Sequence, residues 1–380
     1  MRDLKELFLL DPEIAYLNHG SFGATPEPVF REYQRWQREL ERQPTEFLGR
    51  RFDGLMQDAR NALGVYLGAP ASDIVFMDNV TLAVNLVARS LDLGPGDEVL
   101  TTDHEYGACD RTWRYLARKR GFAYVVRSVP VPLTSTQQLV EDFLLGVTPK
   151  TRVIFISHIT SPTAIRFPVE EICRGARSKG VITLIDGAHA PGQVGLDLTS
   201  LGADFYGGNL HKWLCAPKGA GFLYARPEIQ PMLEPLIVSW GYESETPSGS
   251  TFIDHNQWWG TRDVSAFLSV PTAIEFQKQH NWAGVRSACH ELLKETLARV
   301  QDLIGLPTYY PDDSWYVQMA AAPLPSSMDV DAAKTKLYDE QHIEVPLLAW
   351  NGLKLLRISM QGYNDRNDAD RLLNGLRRLF

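Results

Sequence analysis

A single lysine in an otherwise uncharged stretch is the first residue whose setting suggests chemistry. Lys212 lies in Gly207-Gly-Asn-Leu-His-Lys-Trp213, whose paired glycines allow close backbone approach and which holds no other Lys, Arg, Asp or Glu. Lowering the pKa of a lysine from about 10.4 towards 7 takes about 4 kcal/mol of differential interaction, which a dry site can supply. The neutral amine can form a Schiff base with an aldehyde. A lysine on a surface loop fits the same sequence, so its neighbours must decide between the two interpretations.

Two other segments could complete a site around this lysine. Asp186 follows the apolar run Val181–Ile185, and Asn79-Val80-Thr81 opens a stretch with helical periodicity. Helix N-termini bind phosphate through free N–H groups and the helix dipole. Taken alone, Asp186 could be a turn residue and Asn79 a helix cap. Together, an amine, a helix end and a carboxylate are what pyridoxal phosphate needs for its aldehyde, its phosphate and its ring nitrogen. Neither G-x-x-x-x-G-K-[ST] nor G-x-G-x-x-G occurs, so the phosphate need not belong to a nucleotide.

Short apolar runs alternate with helical patterns from about residue 60 to 225. The predicted order is strand 72–77, helix 82–91, strand 97–102, helix 112–119, strand 123–129, helix 137–145, strand 152–157, helix 170–178, strand 181–185 and strand 221–224. Repeated β-α units with fully apolar strands predict a mainly parallel sheet covered on both faces. Ligands of such sheets lie beyond the carboxyl ends of the strands, where Asp186 and Asn79–Thr81 stand.

The pattern changes at about residue 265. Helices are predicted at 283–304, 331–341 and 365–379, with a strand at 315–321 and a hairpin across 345–359. We therefore expect an α/β protein, in which a large domain with a seven-stranded type of sheet is followed by a smaller α+β domain. The predicted boundaries are 17–264 for the large domain, and 1–16 with 265–380 for the small one.

Composition argues against several classes of protein. The 380 residues carry 38 basic and 46 acidic side chains, a formal net charge of -8, which disfavours nucleic acid or an anionic membrane as a partner. No run approaches the ~18 apolar residues of a membrane helix, and Leu7–Leu10 is too short for a signal-peptide core. The cysteines show no metal-binding spacing; they are Cys109, Cys173, Cys215 and Cys289. We expect a cytoplasmic protein with reduced, mostly buried thiols and no metal site.

Eight segments occur in an order that is typical of one enzyme family. They are Leu17-Asn-His-Gly-Ser-Phe-Gly-Ala-Thr-Pro26, Asn79-Val-Thr81, Asp103-His-Glu-Tyr-Gly-Ala108, His158-Ile-Thr-Ser-Pro162, Asp186-Gly-Ala-His-Ala-Pro-Gly-Gln193, Gly208-Asn-Leu-His-Lys-Trp213, Gly260-Thr-Arg-Asp263 and Leu356-Arg-Ile-Ser359. Together they resemble the class V aminotransferase family of fold-type I pyridoxal-phosphate enzymes, in its isopenicillin N epimerase-like branch. The likeness covers nearly the whole chain and implies the fold-type I architecture with pyridoxal 5'-phosphate as cofactor.

The resemblance implies a role for each matching residue around the cofactor. Lys212 would be the Schiff-base lysine and would move the proton at the α-carbon, and Asp186 would pair with the pyridine nitrogen. His189 is expected near the 3-hydroxyl, and Ser161 falls where relatives often have asparagine. The phosphate would be held by Thr81, the backbone of Val80, His211 and Asn209, and Thr261 would reach the phosphate of the neighbouring subunit's cofactor. The last contact implies a homodimer with shared active sites.

The resemblance also implies residues for stacking and for substrate binding. Tyr106 is expected on the face of the ring, with His104 two residues away, and either could act as an acid. Arg357 would bind the α-carboxylate of an amino-acid-type substrate through a bidentate fork. The substrate entrance would be lined by Asn18, His19 and Phe22, which could equally be caps and turns.

The sequence leaves the reaction open. Cysteine desulfurases of this family need a persulfide-forming cysteine just before the arginine strand, and residues 344–354 contain none, so we do not expect that activity. Our first hypothesis is an isopenicillin N epimerase-like enzyme acting on an amino acid or aminoacyl substrate. The second is a C–S lyase of the cystine or hercynylcysteine sulfoxide type. An aminotransferase and a non-catalytic binding protein rank below both.

Overall fold

The computed structural model describes residues 4–379, in which three sheets are surrounded by helices. The strands are β1 Ala15–Tyr16, β2 Ile74–Met77, β3 Glu98–Thr102, β4 Ala123–Arg127, β5 Thr151–Ser157, β6 Ile182–Gly187, β7 Phe205–Asn209, β8 Gly221–Ala225, β9 Met319–Leu324, β10 Ile343–Glu344, β11 Leu347–Trp350 and β12 Leu353–Ser359. The α-helices are α1 His19–Phe22, α2 Glu27–Arg42, α3 Pro44–Glu46, α4 Phe52–Leu67, α5 Val80–Ser90, α6 Gly107–Arg120, α7 Thr136–Leu144, α8 Val169–Ser178, α9 Leu198–Leu201, α10 Thr251–Gln257, α11 Ser265–Leu268, α12 Val270–Gln279, α13 Trp282–Ile304, α14 Val330–Gln341 and α15 Arg366–Arg377.

The large sheet has seven strands in the order β2-β8-β7-β6-β5-β3-β4. Five of them, from β7 to β4, run parallel to one another, and β8 is antiparallel to both β7 and β2. This arrangement confirms the predicted α/β fold with a mainly parallel sheet. The sequence prediction missed β7, because its adjacent glycines at 207 and 208 lower the strand propensity of an otherwise short segment.

Alternate residues of the strands pack into two different cores. In β5, Ile154 and Ile156 belong to the core on one face of the sheet, whereas Val153 and Phe155 belong to the core on the other. This alternation is the period of two that a strand imposes on its side chains. Because both faces are covered, a ligand can reach polar groups of the sheet only at its ends.

The C-terminal part forms an antiparallel three-stranded sheet in the order β11-β12-β9, against which α13 packs. The N-terminal β1 pairs in parallel with β10, so residues 15–16 are held beside residues 343–344. Helices α11 and α12 pack against α2 and α4, which follow the N-terminal segment. The division at residues 16/17 and 264/265 stays a prediction, and residues 1–3 and 380 lie outside the described part.

Two elements, α6 and β9, begin at residues other than those predicted from the sequence. Helix α6 begins at Gly107, five residues earlier than predicted, which places Tyr106 at its N-cap. Strand β9 begins at Met319 instead of Trp315, because residues 313–315 form a 3-10 turn. Across residues 4–379, no helix combines the length and the apolar character that a membrane crossing requires.

Gly192 generates a prediction about stability. Its φ is +95°, and a Cβ atom there would lie 2.2 Å from the carbonyl carbon of Trp213, whereas Gly180 has φ +68° with no atom near such a Cβ. Gly180→Ala should therefore cost only the left-handed backbone strain, about 1 kcal/mol. Gly192→Ala should cost a further ~1–3 kcal/mol, because the backbone of residues 213–214 cannot yield. Urea unfolding of both variants measures the difference, and equal losses would contradict the steric explanation.

Candidate active site

Residues that follow five strands of the large sheet meet at one cavity of about 330 Å³. They follow β2, β3, β5, β6 and β7, whose carboxyl ends lie side by side in the fold. Ten of the residues predicted from the sequence line this cavity: Phe22, Val80, Thr81, Tyr106, Ser161, Asp186, His189, Asn209, His211 and Lys212. The strand-end rule thus located most of the site, although these residues span almost 200 positions of sequence.

The amine of Lys212 lies 3.3 Å from Nε2 of His189. Burial and the nearby Arg357 guanidinium lower the pKa of Lys212 to about 8, against the opposing effect of Asp186. Burial and the charges of Lys212 and Arg357 also hold the pKa of His189 well below its usual value. An amine whose pKa is near 8 is present in useful amounts as a neutral nucleophile at physiological pH.

Asp186 is a buried carboxylate whose partners are both neutral. Its Oδ1 accepts a hydrogen bond from the backbone N–H of Ala188 at 2.9 Å, and its Oδ2 accepts from the thiol of Cys109 at 3.6 Å. Only 2% of the residue is exposed, and burial raises the pKa of this carboxyl. A cation placed in the cavity beside Asp186 would stabilise its ionised form.

The N-terminus of α5 faces the cavity, but one of its N–H groups is already used. Asn79 caps the helix by accepting from Leu82, and Asn209 Oδ1 accepts from the backbone N–H of Val80 at 2.9 Å. In this structure the Val80 N–H is engaged by Asn209, and its expected contact with a phosphate stays a prediction. Because the oxygen of Asn209 is engaged, its amide NH₂ is the group left to act as a donor, together with Thr81.

His211 lines the cavity with one ring nitrogen committed elsewhere. Its Nδ1 donates to the carbonyl of Ala220 at 2.9 Å, and burial with the Lys212 charge lowers its pKa to about 4. The neutral ring thus has no second hydrogen to give. A phosphate dianion next to the ring would favour the imidazolium, which has a second hydrogen to donate.

The structure places the two candidate acids, Tyr106 and His104, in different surroundings. Tyr106 lines the cavity and is 47% exposed. His104 is fully buried outside it, with Nδ1 2.6 Å from the hydroxyl of Thr163 and Nε2 2.7 Å from the carbonyl of Val129. His104 as an acid at the reacting carbon was therefore a wrong expectation, because both of its ring nitrogens are used in holding the loop.

Arg357 is buried, and all of its hydrogen-bond partners in residues 4–379 are neutral. Its guanidinium donates to the Ser161 carbonyl at 2.5 Å and to the Ser21 hydroxyl at 3.0 Å, while its Nε has no partner among the described residues. Burial lowers its pKa to about 10. A carboxylate entering beside Ser161 and Ser21 would find a cation whose charge no described carboxylate neutralises.

Of the three residues expected at the entrance, only Phe22 lies there, with 70% of its surface exposed. Asn18 instead accepts a hydrogen bond from the Ser21 hydroxyl at 2.5 Å and donates to Glu344 at 2.7 Å. It therefore orients Arg357 through Ser21. His19 is fully buried under Trp213, so placing Asn18 and His19 at the entrance was wrong.

Thr261 lies on an exposed loop and does not line the cavity of its own chain. The neighbouring Arg262 pairs with Asp78 at 3.1 Å, and Asp78 is a cavity residue. The loop is thus tied to the rim of the site. The expected contact of Thr261 with a cofactor in another subunit stays a prediction.

Sequence reasoning missed four residues that shape the site. Glu105 is buried between the hydroxyls of Thr102 and Ser157, each 2.6 Å away, and burial raises its pKa to about 8. The other three are Ser21, which orients Arg357, Cys109, which donates to Asp186, and Trp213, which donates to His189. Three of the four lie inside the quoted motifs, and Cys109 directly follows one. Their positions in or next to a motif could therefore have identified them as site residues.

These residues fit pyridoxal phosphate, the cofactor expected from the sequence. Asp186 lacks a cation partner that a protonated ring nitrogen would supply, and Lys212 offers an amine of lowered pKa within the same cavity. Thr81 and the Asn209 amide offer donors at a helix N-terminus. The donor set therefore matches the aldehyde, ring nitrogen and phosphate of that cofactor.

Comparisons with known proteins agree with this cofactor. The family model for Aminotransferase class-V matches residues 23–372. An isopenicillin N epimerase of Amycolatopsis lactamdurans is 38% identical, covering 99% of this chain and 97% of that protein. A probable chloroplastic L-cysteine desulfhydrase of Arabidopsis thaliana is 30% identical, covering 97% of this chain and 84% of that protein. The solved structure of a C-DES mutant with glycine covalently linked to the PLP cofactor has a TM-score of 0.85 at 22% identity, covering 100% of this chain and 99% of that one.

The charges around Lys212 predict the pH dependence of its reactivity. In the cofactor-free protein, reductive methylation of Lys212 should show a midpoint near pH 8, since burial and Arg357 lower its pKa to about 8 from an ordinary value of 10.5. Arg357→Met removes a positive charge and should raise the midpoint. Asp186→Asn removes a negative charge and should lower it. Peptide mass spectrometry follows Lys212 separately from the other lysines, and a wild-type midpoint near pH 10.5 would contradict the assignment.

Proposed function

Because this chain belongs to the class-V aminotransferase family of pyridoxal-phosphate-dependent enzymes, we propose that it is an epimerase. Its substrate would be an amino acid or an aminoacyl side chain, as in the isopenicillin N epimerases. The observation that favours the epimerase is the 38% identity to an isopenicillin N epimerase over nearly the whole of both chains. The site is compatible with it, because Lys212 and Tyr106, two groups able to move protons, line one cavity. Epimerisation needs one group to remove the α-hydrogen and another to return it on the other side.

The proposed cofactor contacts follow from the positions of the donors and acceptors. Lys212 would hold the aldehyde covalently and Asp186 the ring nitrogen, with His189 at the 3-hydroxyl and Tyr106 against the ring face. Thr81, Asn209 and His211 would bind the phosphate, and Ser161 would lie near the ring. When bound, pyridoxal phosphate withdraws electrons from the substrate α-carbon and makes its hydrogen acidic.

The chain would then supply the proton transfers and orient the substrate. Lys212, with its pKa lowered to about 8, can exchange a proton at physiological pH. Tyr106 would act on the opposite face of the α-carbon. Arg357 would bind the α-carboxylate, since its guanidinium is held in place by Ser161 and Ser21 and has no acidic partner among residues 4–379.

Thiol chemistry of the persulfide type is disfavoured by the state of the cysteines. All four thiols are buried, and only Cys109 lines the cavity. Burial and the neighbouring Asp186 carboxylate keep the pKa of Cys109 well above its usual value. A thiol is a nucleophile only as its thiolate, so Cys109 is unsuited to attack on sulfur.

A C–S lyase is the second candidate function. The 30% identity to a probable L-cysteine desulfhydrase over most of both chains favours it. The same Lys212 would remove the α-hydrogen, and Tyr106 could then protonate a sulfur leaving group at Cβ instead of the α-carbon. The two candidates therefore differ in what Tyr106 protonates, and only the products distinguish them.

A homodimer with shared active sites is part of the proposal. Residues 237–242 expose a contiguous set of large apolar side chains, namely Ile237, Val238, Trp240 and Tyr242, with Trp240 84% exposed. Exposed apolar patches of this kind mark protein–protein contacts. The ring of Tyr242 lies 5.5 Å from that of His255 in α10, and Arg262 donates to the carbonyl of Gln257 at the end of the same helix, so the patch and the loop of Thr261 contact one helix. With a second copy covering this patch, Thr261 would reach the phosphate of the partner's cofactor.

The partners and location proposed from the sequence are unchanged. A net charge of -8 gives no electrostatic basis for binding nucleic acid. Four unpaired, buried cysteines suit a reducing compartment, so we propose a cytoplasmic location.

Removing the Tyr106 hydroxyl tests the reaction. In deuterium oxide, Tyr106→Phe should lower the rate of inversion of isopenicillin N by ~10²–10⁴-fold, while hydrogen exchange through Lys212 on one face continues. Tyr115→Phe is the matched control, because Tyr115 lies on the same helix with the same 47% exposure but outside the cavity. Lys212→Ala should abolish both signals. Release of pyruvate, ammonia and sulfide from L-cysteine, or of pyruvate, ammonia and cysteine persulfide from L-cystine, without inversion, would favour the lyase.

Mixing inactive subunits tests the shared sites. Thr261→Asp places a negative charge at the partner's phosphate, and Lys212→Ala removes the amine, so each homodimer should be inactive. Refolded together, they should recover about a quarter of the wild-type activity, because half of the dimers carry one intact site of two. The control mixture of Lys212→Ala with Asp186→Asn should recover nothing, as these residues line the same cavity of one chain. No recovery in the first mixture would place Thr261 outside the neighbouring site.

A further inference from the structure

The indole of Trp213 makes one polar contact, and that contact leads to the reactive lysine. Trp213 is fully buried, and its Nε1–H lies 3.2 Å from Nδ1 of His189. An indole nitrogen can only donate a hydrogen bond. His189 Nδ1 must therefore accept, which it can do only when it carries no hydrogen.

The neutral ring of His189 carries one N–H hydrogen, on either Nδ1 or Nε2. Burial holds the pKa of His189 well below the usual value, and the positive charges of Arg357 and of Lys212, when its amine is protonated, act in the same direction. A neutral imidazole carries its hydrogen on one nitrogen only, and the free energies of the two tautomers differ little in water. The neighbour that engages one nitrogen consequently decides where the hydrogen goes.

We propose that Trp213 is a positioning residue that fixes the tautomer of His189, so that the Nε2 hydrogen of His189 faces the amine of Lys212. The distance between these two nitrogens is 3.3 Å. A hydrogen bond in this direction requires Lys212 to accept, and a lysine nitrogen accepts only as the neutral amine. The indole thus favours the uncharged form of Lys212 without touching it.

The structure holds Trp213 rigidly in this position. His19 packs against its ring with centroids 4.9 Å apart, and Nε2 of His19 donates to the backbone carbonyl of Lys212 at 3.0 Å. Gln277 donates to the carbonyl of Trp213 at 2.8 Å, and the backbone of Gly192 passes too close for a side chain. The direction of the indole N–H is therefore fixed by packing on several sides.

The other groups that face Lys212 do not replace this effect. Burial and Arg357 favour the neutral amine, whereas Asp186 and the Cys109 thiol act in the opposite direction if ionised. None of these groups distinguishes the two nitrogens of His189. The proposed effect of Trp213 on the tautomer can therefore be measured separately from the effects of these groups. Its importance for catalysis rests on the proposed role of Lys212.

Nitrogen NMR of the cofactor-free full chain tests the proposal. With ¹⁵N-labelled histidine, and with His189→Asn to assign the signal, the wild type should show a hydrogen on Nε2 and none on Nδ1. Trp213→Phe should shift His189 towards a mixture of tautomers. Trp113→Phe is the matched control, because Trp113 is also fully buried but its indole N–H has no partner among the described residues.

A second measurement reports on the reactivity of the Lys212 amine. When pyridoxal phosphate is added to the cofactor-free protein at pH 7, Trp213→Phe should form the lysine-bound chromophore about three- to tenfold more slowly, in proportion to the smaller fraction of neutral amine. Trp113→Phe should match the wild type.

A wild-type His189 with its hydrogen on Nδ1, or a Trp213→Phe protein with an unchanged tautomer, would overturn the proposal. Should Trp213→Phe fail to fold, the scalar coupling between Trp213 Nε1 and His189 Nδ1 in the wild type decides, and its absence would overturn the proposal as well. A wild type that forms no chromophore at all would instead refute the role of Lys212, leaving the tautomer measurement intact.

Discussion

The chemistry of this site depends on two buried basic side chains, Lys212 and Arg357, neither of which is ion-paired with a carboxylate among the described residues. Neither Lys212 nor Arg357 has an acidic hydrogen-bond partner among residues 4–379, and burial lowers the pKa of both, to about 8 and about 10. Each disfavours the charged form of the other. The amine loses its proton more easily because its pKa is the lower one, while the guanidinium stays charged. Lys212 in the cavity is therefore partly neutral at physiological pH, and Arg357, which lies behind Ser21 and Ser161 of the cavity lining, stays an unneutralised cation. These two groups suit an aldehyde cofactor and a carboxylate substrate.

The residues behind these two groups orient them with neutral contacts. Arg357 donates to Ser21, which donates to Asn18, which donates to the Glu344 carboxylate at the far end. A carboxylate in direct contact would neutralise the guanidinium and compete with the substrate. Placing that carboxylate three hydrogen bonds away keeps the guanidinium oriented and available. The contact between His189 and Lys212 follows the same logic, since it depends on neutral hydrogen-bond donors.

Packing around the cavity limits which side chains are free to take part in a reaction. Residues 344–354, which contain no cysteine, form the hairpin of β11 and β12, and Trp350 in it donates to the carbonyl of Asp103 at 2.9 Å. The hairpin thus packs on the segment that carries His104 and Tyr106. His104 takes part in this packing, with its ring 4.4 Å from that of Trp350, whereas Tyr106 lines the cavity, as the proposed proton transfer requires.

The sequence by itself determined the fold class, the cofactor and most of the cavity, because short fully apolar runs, helical periodicity and polar residues at strand ends are local signals. It correctly placed Lys212, Asp186, His189 and Thr81 together. Only the tertiary structure decided where a motif residue points. His19 and His104 lie in motifs, yet both are buried among side chains distant in sequence, and Asn209 takes the N–H of Val80 across 129 positions. Strand β7 was missed because its Gly208 is needed for the close approach of Phe222 from β8, a contact that no local pattern encodes. Orientation depends on which donors and acceptors remain after folding, and that is settled by long-range packing.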